Sequence, residues 1–198
     1  MVFFTGNELM RFAAPDDAEQ MLAVYAPYVR KTVISFEYEV PSLEEFRGRV
    51  EKYTKRYPWL VYERDGEILG YAYGSPNYTR AAYNWTVESS IYLREDCRGT
   101  GVGHKLYTAL LECLTAMNFY VDYALINASN EVSLSFHKKF GFREVGRFVN
   151  TGYKLGTWQD TVTLEKVLRE PEIPPLPILP INRLGFDGQH PYILETAG

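Results

Sequence analysis

Apolar residues along the chain switch between helical and strand spacing, and that switching predicts the elements. Behind Pro15, Met21, Leu22, Tyr25, Tyr28 and Val29 recur at helical intervals, preceded by Asp16 and Glu19 in the arrangement of a capping box. A second helix is predicted from Ser42-Leu43-Glu44-Glu45, where Leu43, Phe46, Val50 and Tyr53 form a stripe that stops at Tyr57-Pro58. Two β-rich runs, 59–63 and 68–73, flank Asp65-Gly66, a dipeptide suited to the left-handed backbone of a tight hairpin turn. Residues 85–94 then alternate, with Trp85, Val87, Ser89, Ile91 and Leu93 on one face and Thr86, Glu88, Ser90 and Tyr92 on the other. Glu88 therefore reads as a carboxylate on a partly buried strand.

A helix over 101–117 follows, its stripe made by Val102, Leu106, Ala109, Leu110, Cys113, Leu114 and Met117. A strand over 121–127 leads to a shorter helix capped by Asn130 and stopped at Gly141, and two strands near 143–149 and 158–166 complete the pattern. This order of elements predicts a mixed α/β (α+β) domain built on one central sheet, spanning 1–168. From 169 to 198 the chain changes character, with Pro171, Pro174, Pro175, Pro177 and Pro180 excluding helix and central strand. Because this tail also carries Ile173, Leu176, Ile178, Leu179 and Ile181, it is expected to lie on the domain or on another subunit.

Composition narrows the classes. The 198 residues are 46% apolar and 23% charged, enough to close one core without disulfides or metal. The net charge of -4, with Lys and Arg dispersed, argues against a nucleic-acid partner. No apolar run approaches the roughly 20 residues of a membrane span, and residues 1–12 lack the features of a signal peptide, so a cytoplasmic protein is expected. Cys97 and Cys113 have no metal-ligand spacing, and no metal is expected.

The chemistry concentrates at Ile91-Tyr92-Leu93-Arg94-Glu95-Asp96-Cys97-Arg98-Gly99-Thr100-Gly101-Val102-Gly103, a strand running through a basic, glycine-rich turn into a helix. Glycines let backbone N–H groups converge, and the helix start adds free donors and a positive dipole end, so the turn suits a pyrophosphate. A P-loop would need Gly-Lys followed by Ser or Thr, and a dinucleotide fingerprint needs a different glycine spacing. Arg98, Gly101 and Gly103 instead match the acyl-CoA signature of the GNAT superfamily, and the following strand, Asn127, the Asn130-capped helix and Lys139-Phe140-Gly141-Phe142 stand in that family's order. The chain thus resembles GNAT N-acetyltransferases over about 11–168. The resemblance implies a central mixed, mostly antiparallel twisted sheet flanked by helices, with acetyl-CoA as cosubstrate. It places the pantetheine arm along Ile91, Tyr92 and Leu93, the pyrophosphate on Arg98, Gly99, Thr100, Gly101, Val102 and Gly103, and Asn130 and Ser133 beside the cofactor.

Tyr57-Pro58-Trp59, Tyr83-Asn84-Trp85-Thr86-Val87-Glu88-Ser89 and Gly152-Tyr153-Lys154-Leu155-Gly156-Thr157-Trp158-Gln159-Asp160 resemble the phosphinothricin and methionine sulfoximine acetyltransferase branch. In that branch a small amino-acid-like amine attacks the thioester directly. The likeness implies Glu88 as general base, His137 as a proton-transfer residue, and Phe36, Tyr78, Arg80 and Tyr83 around the acceptor. Tyr78 departs from the branch, where phosphinothricin-specific members tend to carry lysine. The segment from Lys154 to Asp160 is, in the family, contributed by a neighbouring subunit, so a homodimer is implied. Two other readings remain: an acetyltransferase for a polyamine, aminoglycoside or protein N-terminus, and a non-catalytic acyl-CoA-binding module.

Overall fold

The computed structural model describes residues 7–193. Its main sheet is seven-stranded, in the order β1-β2-β3-β4-β5-β7-β6. The strands are β1 (Glu8–Phe12), β2 (Trp59–Arg64), β3 (Glu67–Pro76), β4 (Thr86–Leu93), β5 (Val121–Asn127), β6 (Arg143–Lys154) and β7 (Thr157–Val167). All neighbours run antiparallel except β4 and β5, whose parallel pairing splits the sheet into two arms.

Helices α1 (Ala18–Lys31) and α2 (Leu43–Tyr53) cover one face of the first arm. Helix α3 (Val102–Ala116) covers the other face, burying Leu106, Tyr107, Leu110 and Leu114 against the sheet, and α4 (Glu131–Lys139) flanks the second arm. The predicted hairpin turn forms, with Asp65 and Gly66 both left-handed at φ 52° and 82°. Ser42 caps α2, its hydroxyl accepting from the Glu45 N–H at 3.1 Å.

Two details differ from the sequence reading. The edge strand β1 was not predicted; it pairs with β2 and buries only Met10. The predicted capping box at Asp16 and Glu19 does not form. Asp16 is exposed, while Asp17 accepts from the Ala14 N–H at 2.7 Å and takes both arms of Arg11 on β1, at 2.7 and 2.8 Å. A cation supplied by a strand outside the helix selects the neighbouring aspartate, which helix-local spacing does not reveal.

Past β7 the chain turns back over the domain. The Trp85 indole donates to the Leu176 carbonyl at 2.7 Å, Asn118 donates to the Pro177 carbonyl at 2.8 Å, and the Leu179 N–H reaches the Met117 carbonyl at 3.0 Å. A small hairpin, β8 (Leu184–Phe186) with β9 (Pro191–Ile193), follows; Leu184 is buried and Phe186 meets Phe12 with ring centroids 5.7 Å apart. Of the tail's apolar residues, Ile178 and Ile181 pack against the core while Ile173 is fully exposed. Among the described residues no helix is long and apolar enough to cross a membrane.

Candidate active site

The site begins where β4 and β5 part. They pair only through Thr86↔Val121, Val87↔Asp122 and Glu88↔Tyr123; beyond Glu88, β4 stays with β3 while β5 goes on with β7. A wedge opens between them, lined by Ser90, Ile91, Tyr92, Asn127 and His137. The Arg94 N–H bonds the Leu69 carbonyl on β3, whereas both backbone groups of Leu93 meet the Tyr28 hydroxyl, at 2.6 and 3.3 Å. By the alternation of an antiparallel ladder, the backbone of Ile91 points, like that of Leu93, away from β3 and into the wedge. Tyr28 already occupies the Leu93 rung, so Ile91 offers the open one.

From the wedge a groove of about 450 Å³ runs to the glycine turn; Ile34, Ile91, Asn130 and Ser133 line both, and Arg98, Gly101 and Phe136 line the far end. Gly99 and Gly101 are left-handed at φ 77° and 88°, a backbone that a side chain disfavours. A Cβ on Gly103 would come within 2.9 Å of Leu93 Cδ1, so the glycine lets the start of α3 close on β4. Arg98 lies over the Tyr28 ring at 5.5 Å. Thr100 spends its hydroxyl donor on the Cys97 carbonyl at 2.7 Å and Val102 is buried, so both shape the turn. The Tyr92 ring packs edge-on against Tyr25 and Tyr28, on the sheet face opposite α3. Asn130 caps α4 by accepting from the Ser133 N–H at 3.2 Å.

Glu88 stands at the fork with its carboxyl largely shielded, and burial pushes it above the usual carboxylate range. Among the described residues no cation pairs with it. His137 is 3% exposed, and burial lowers its pKa, which leaves the ring neutral near pH 7. Its Nδ1–H donates to the Ser133 carbonyl at 2.8 Å, so Nε2, buried and without a partner, is a bare acceptor. On the α3 face, directly behind the fork, Ser89 donates to Asp122 at 2.7 Å and meets the Tyr107 hydroxyl at 2.7 Å. Asp122 is fully buried and held well above the carboxylate range by burial.

The predicted acceptor residues Phe36, Tyr78, Arg80 and Tyr83 are exposed and line neither the wedge nor the groove. Tyr78 and Tyr83 sit against one another with centroids 4.6 Å apart, both exposed, and Arg80 is exposed beside them. Phe36 lies flat on Gly152, where a Cβ would approach its ring to 2.4 Å. That contact, with Lys154 donating to the Val29 and Ser35 carbonyls at 2.8 and 2.6 Å, seats the β6–β7 hairpin on the chain's own α1 and α1–α2 loop. The resemblance assigned this segment to a neighbouring subunit; here its first residue is anchored at home, and Leu155 and Trp158 point out, 59% and 64% exposed.

Sequence reasoning missed a cavity of about 300 Å³ on the Glu88 face of the sheet, walled by Phe46, Trp59, Tyr71 and Tyr73 with Glu37 and Arg49 among its lining. A signal existed: Arg49 is three residues after Phe46 and four before Tyr53, which puts it on the inward stripe of α2.

Residues 10–163 match the family model described as an acetyltransferase (GNAT) domain. Phosphinothricin N-acetyltransferase of Streptomyces viridochromogenes is 32% identical, across 88% of this chain and 95% of its own. The L-methionine sulfoximine/L-methionine sulfone acetyltransferase of Pseudomonas aeruginosa is 31% identical, across 79% and 92%. The crystal structure of a phosphinothricin acetyltransferase from Sinorhizobium meliloti in complex with AcCoA superposes with a TM-score of 0.81 at 31% identity, covering 88% of this chain and 98% of that one.

Proposed function

Because this chain belongs to the GNAT acetyltransferase family, we propose that it moves acetyl from acetyl-CoA to the primary amine of a small amino-acid-like acceptor of the phosphinothricin or methionine sulfoximine type. The observation that carries this reading is the pair of adjoining clefts, sharing Ile34, Ile91, Asn130 and Ser133, that lead from the glycine turn to the opening between β4 and β5 just past Glu88. The turn fits the cosubstrate: two left-handed glycines and the start of α3 present backbone N–H groups to a pyrophosphate, and Arg98 adds a cation. The wedge offers the backbone of Ile91 to an extended amide-bearing arm. When bound, acetyl-CoA supplies a thioester whose carbonyl carbon is open to an amine.

Amines of amino acids are largely protonated near pH 7, so the first task is to take a proton from the ammonium. Glu88 suits it, because burial moves its carboxyl toward the operating pH without an ion pair to hold it down. His137 has an empty Nε2 in the wedge that opens past Glu88 and suits passing that proton onward; a neutral ring of lowered basicity is poorly suited to protonating the departing thiolate. Asn130 and Ser133 shape the groove wall, and Phe36, Tyr78, Arg80 and Tyr83 form the acceptor rim, with Arg80 available to a carboxylate. Thiol release measured with methionine sulfoximine, phosphinothricin, common amino acids and polyamines tests the assignment. Turnover confined to polyamines would contradict it.

A homodimer belongs to the same proposal. Phe148, Val149, Leu155 and Trp158 leave an apolar stretch on the β6–β7 arm exposed, at 55%, 68%, 59% and 64%. A second copy covering it would have its surface next to the acceptor rim. Light scattering of the purified protein at micromolar concentration is expected to give twice the chain mass, and a monomer would remove this part of the proposal.

A further inference from the structure

The aromatic cavity between α1, α2 and the first arm has no role in the chemistry described so far, yet it opens on the Glu88 face. Ser75, one of its lining residues, lies directly across the β3–β4 ladder from Glu88 and its hydroxyl reaches the Glu88 carbonyl at 3.3 Å. Tyr73, another, is paired with Ser90, the next residue of β4 on that face. A group extending from an amine at Glu88 therefore has a walled space next to it.

The walls are flat and polarisable. Tyr53 stacks on Trp59 with an interplanar angle of 8°, Trp59 stacks on Tyr73 at 4.1 Å, and Tyr71 stacks on Tyr73 at 6.0 Å. Burial pushes the Tyr73 hydroxyl up to about 12, so it is a neutral donor. The lining includes two charged side chains, Glu37 and Arg49. Arg49 is already engaged on both arms, Nη1 with Glu37 and Nη2 with Glu45 at 2.6 Å. Lys154, the other cation near Glu37, is buried with its ammonium spent on two carbonyls. Two cations against two carboxylates leave no uncompensated positive charge, and an anion entering here would lose its water without gaining a counter-charge. A neutral group with strong dipoles, such as a sulfone or sulfoximine, or a flat ring, loses far less and gains contact with the aromatic walls.

We infer that this cavity is the subsite for the acceptor's side chain, and that the Arg49–Glu37–Glu45 cluster selects acceptors with an uncharged distal group over anionic ones. This rests on the amino-acid-acceptor reading above and adds to it which side chain is preferred. Glu37 is a specificity-determining residue: it cancels the charge that Arg49 would otherwise present.

The test compares kcat/KM for methionine sulfone, with a neutral distal group, and phosphinothricin, with an anionic one, in the parent protein, in Glu37→Gln and in Arg49→Gln. The parent is expected to favour the sulfone by about tenfold or more, the scale of one desolvated charge contact. In Glu37→Gln the ratio should move by about tenfold toward phosphinothricin, and in Arg49→Gln it should not move that way, both with an unchanged KM for acetyl-CoA that reports an intact fold. A parent that favours phosphinothricin, or a ratio indifferent to Glu37→Gln, overturns the inference and leaves the acetyltransferase reading in place. Acetyl-CoA binding with no turnover of any amino-acid acceptor overturns that reading and this inference together.

Discussion

Glu88 faces Tyr123 across the last rung at which β4 and β5 pair, so the carboxylate stands where the sheet forks. Pairing below it fixes its backbone, and parting above it makes room for a ligand. A residue held in a ladder on one side and bordered by an opening on the other has a fixed backbone with room for a ligand beside it, the setting that the proposed role as general base needs.

The first prediction is a pH profile. Base catalysis needs the ionised carboxyl, and burial raises the Glu88 pKa, so kcat/KM should fall as pH drops through a value above that of an ordinary glutamate, about 4.3. Glu88→Gln should abolish that limb. An acidic limb at the ordinary value would mean that Glu88 is solvated.

Asp122 yields a prediction about stability. Burial raises its pKa in the folded state, so folding takes up a proton at any pH between the unfolded and folded values. Stability from this group is therefore greatest at acid pH and declines as pH rises through the folded value. Asp122→Asn keeps an acceptor for Ser89 and removes the linkage, so thermal unfolding should show the variant gaining on the parent as pH rises from 4 to 8, by roughly 2–4 °C for each kcal/mol. A constant difference across that range would mean Asp122 is ionised in the fold.

In the glycine turn, Gly101→Ala forces a side chain into a left-handed position at φ 88°. The strain is about 1–2 kcal/mol, and relief by shifting the turn misaligns its N–H groups. The KM for acetyl-CoA should rise by about tenfold while the acceptor KM stays within about twofold. Equal effects on both would point to general unfolding.

Lys154→Met removes the pin between the β6–β7 hairpin and α1 with the α1–α2 loop, leaving the Val29 and Ser35 carbonyls without their donor. The loss should be about 1–3 kcal/mol of stability. Because the loop carries Phe36 and Glu37 past the acceptor face, the acceptor KM should rise more than the KM for acetyl-CoA. A variant altered only in stability would separate the pin from the site.

Most of the fold was legible because β2–β5 and α2–α4 announce themselves through local signals: alternation, stripes, Asp-Gly and two good caps. What escaped depends on partners distant in sequence. β1 is five residues long with Met10 alone buried, too little alternation to separate it from a loop until β2 lies beside it. The choice of Asp17 over Asp16 is made by Arg11. The glycine turn, Glu88 and His137 could be read from motif order; in the structure His137 lines the wedge and Glu88 stands at the last paired rung where the wedge begins. Arg80, Tyr78 and Tyr83 sit on or beside a loop whose side-chain directions no periodicity sets, and all three are exposed. Arg49 was hidden in plain view, a charge on an apolar stripe, and Asp122 likewise, an acid in a strand that otherwise reads as buried.

The most direct measurement is thiol release from acetyl-CoA with methionine sulfoximine and phosphinothricin as acceptors, comparing the parent with Glu88→Gln. Turnover with at least one acceptor, falling by about 100-fold or more in the variant with the KM for acetyl-CoA unchanged, is the expected result. Equal turnover in both proteins would contradict the role given to Glu88, and no turnover in the parent despite acetyl-CoA binding would contradict the acceptor class.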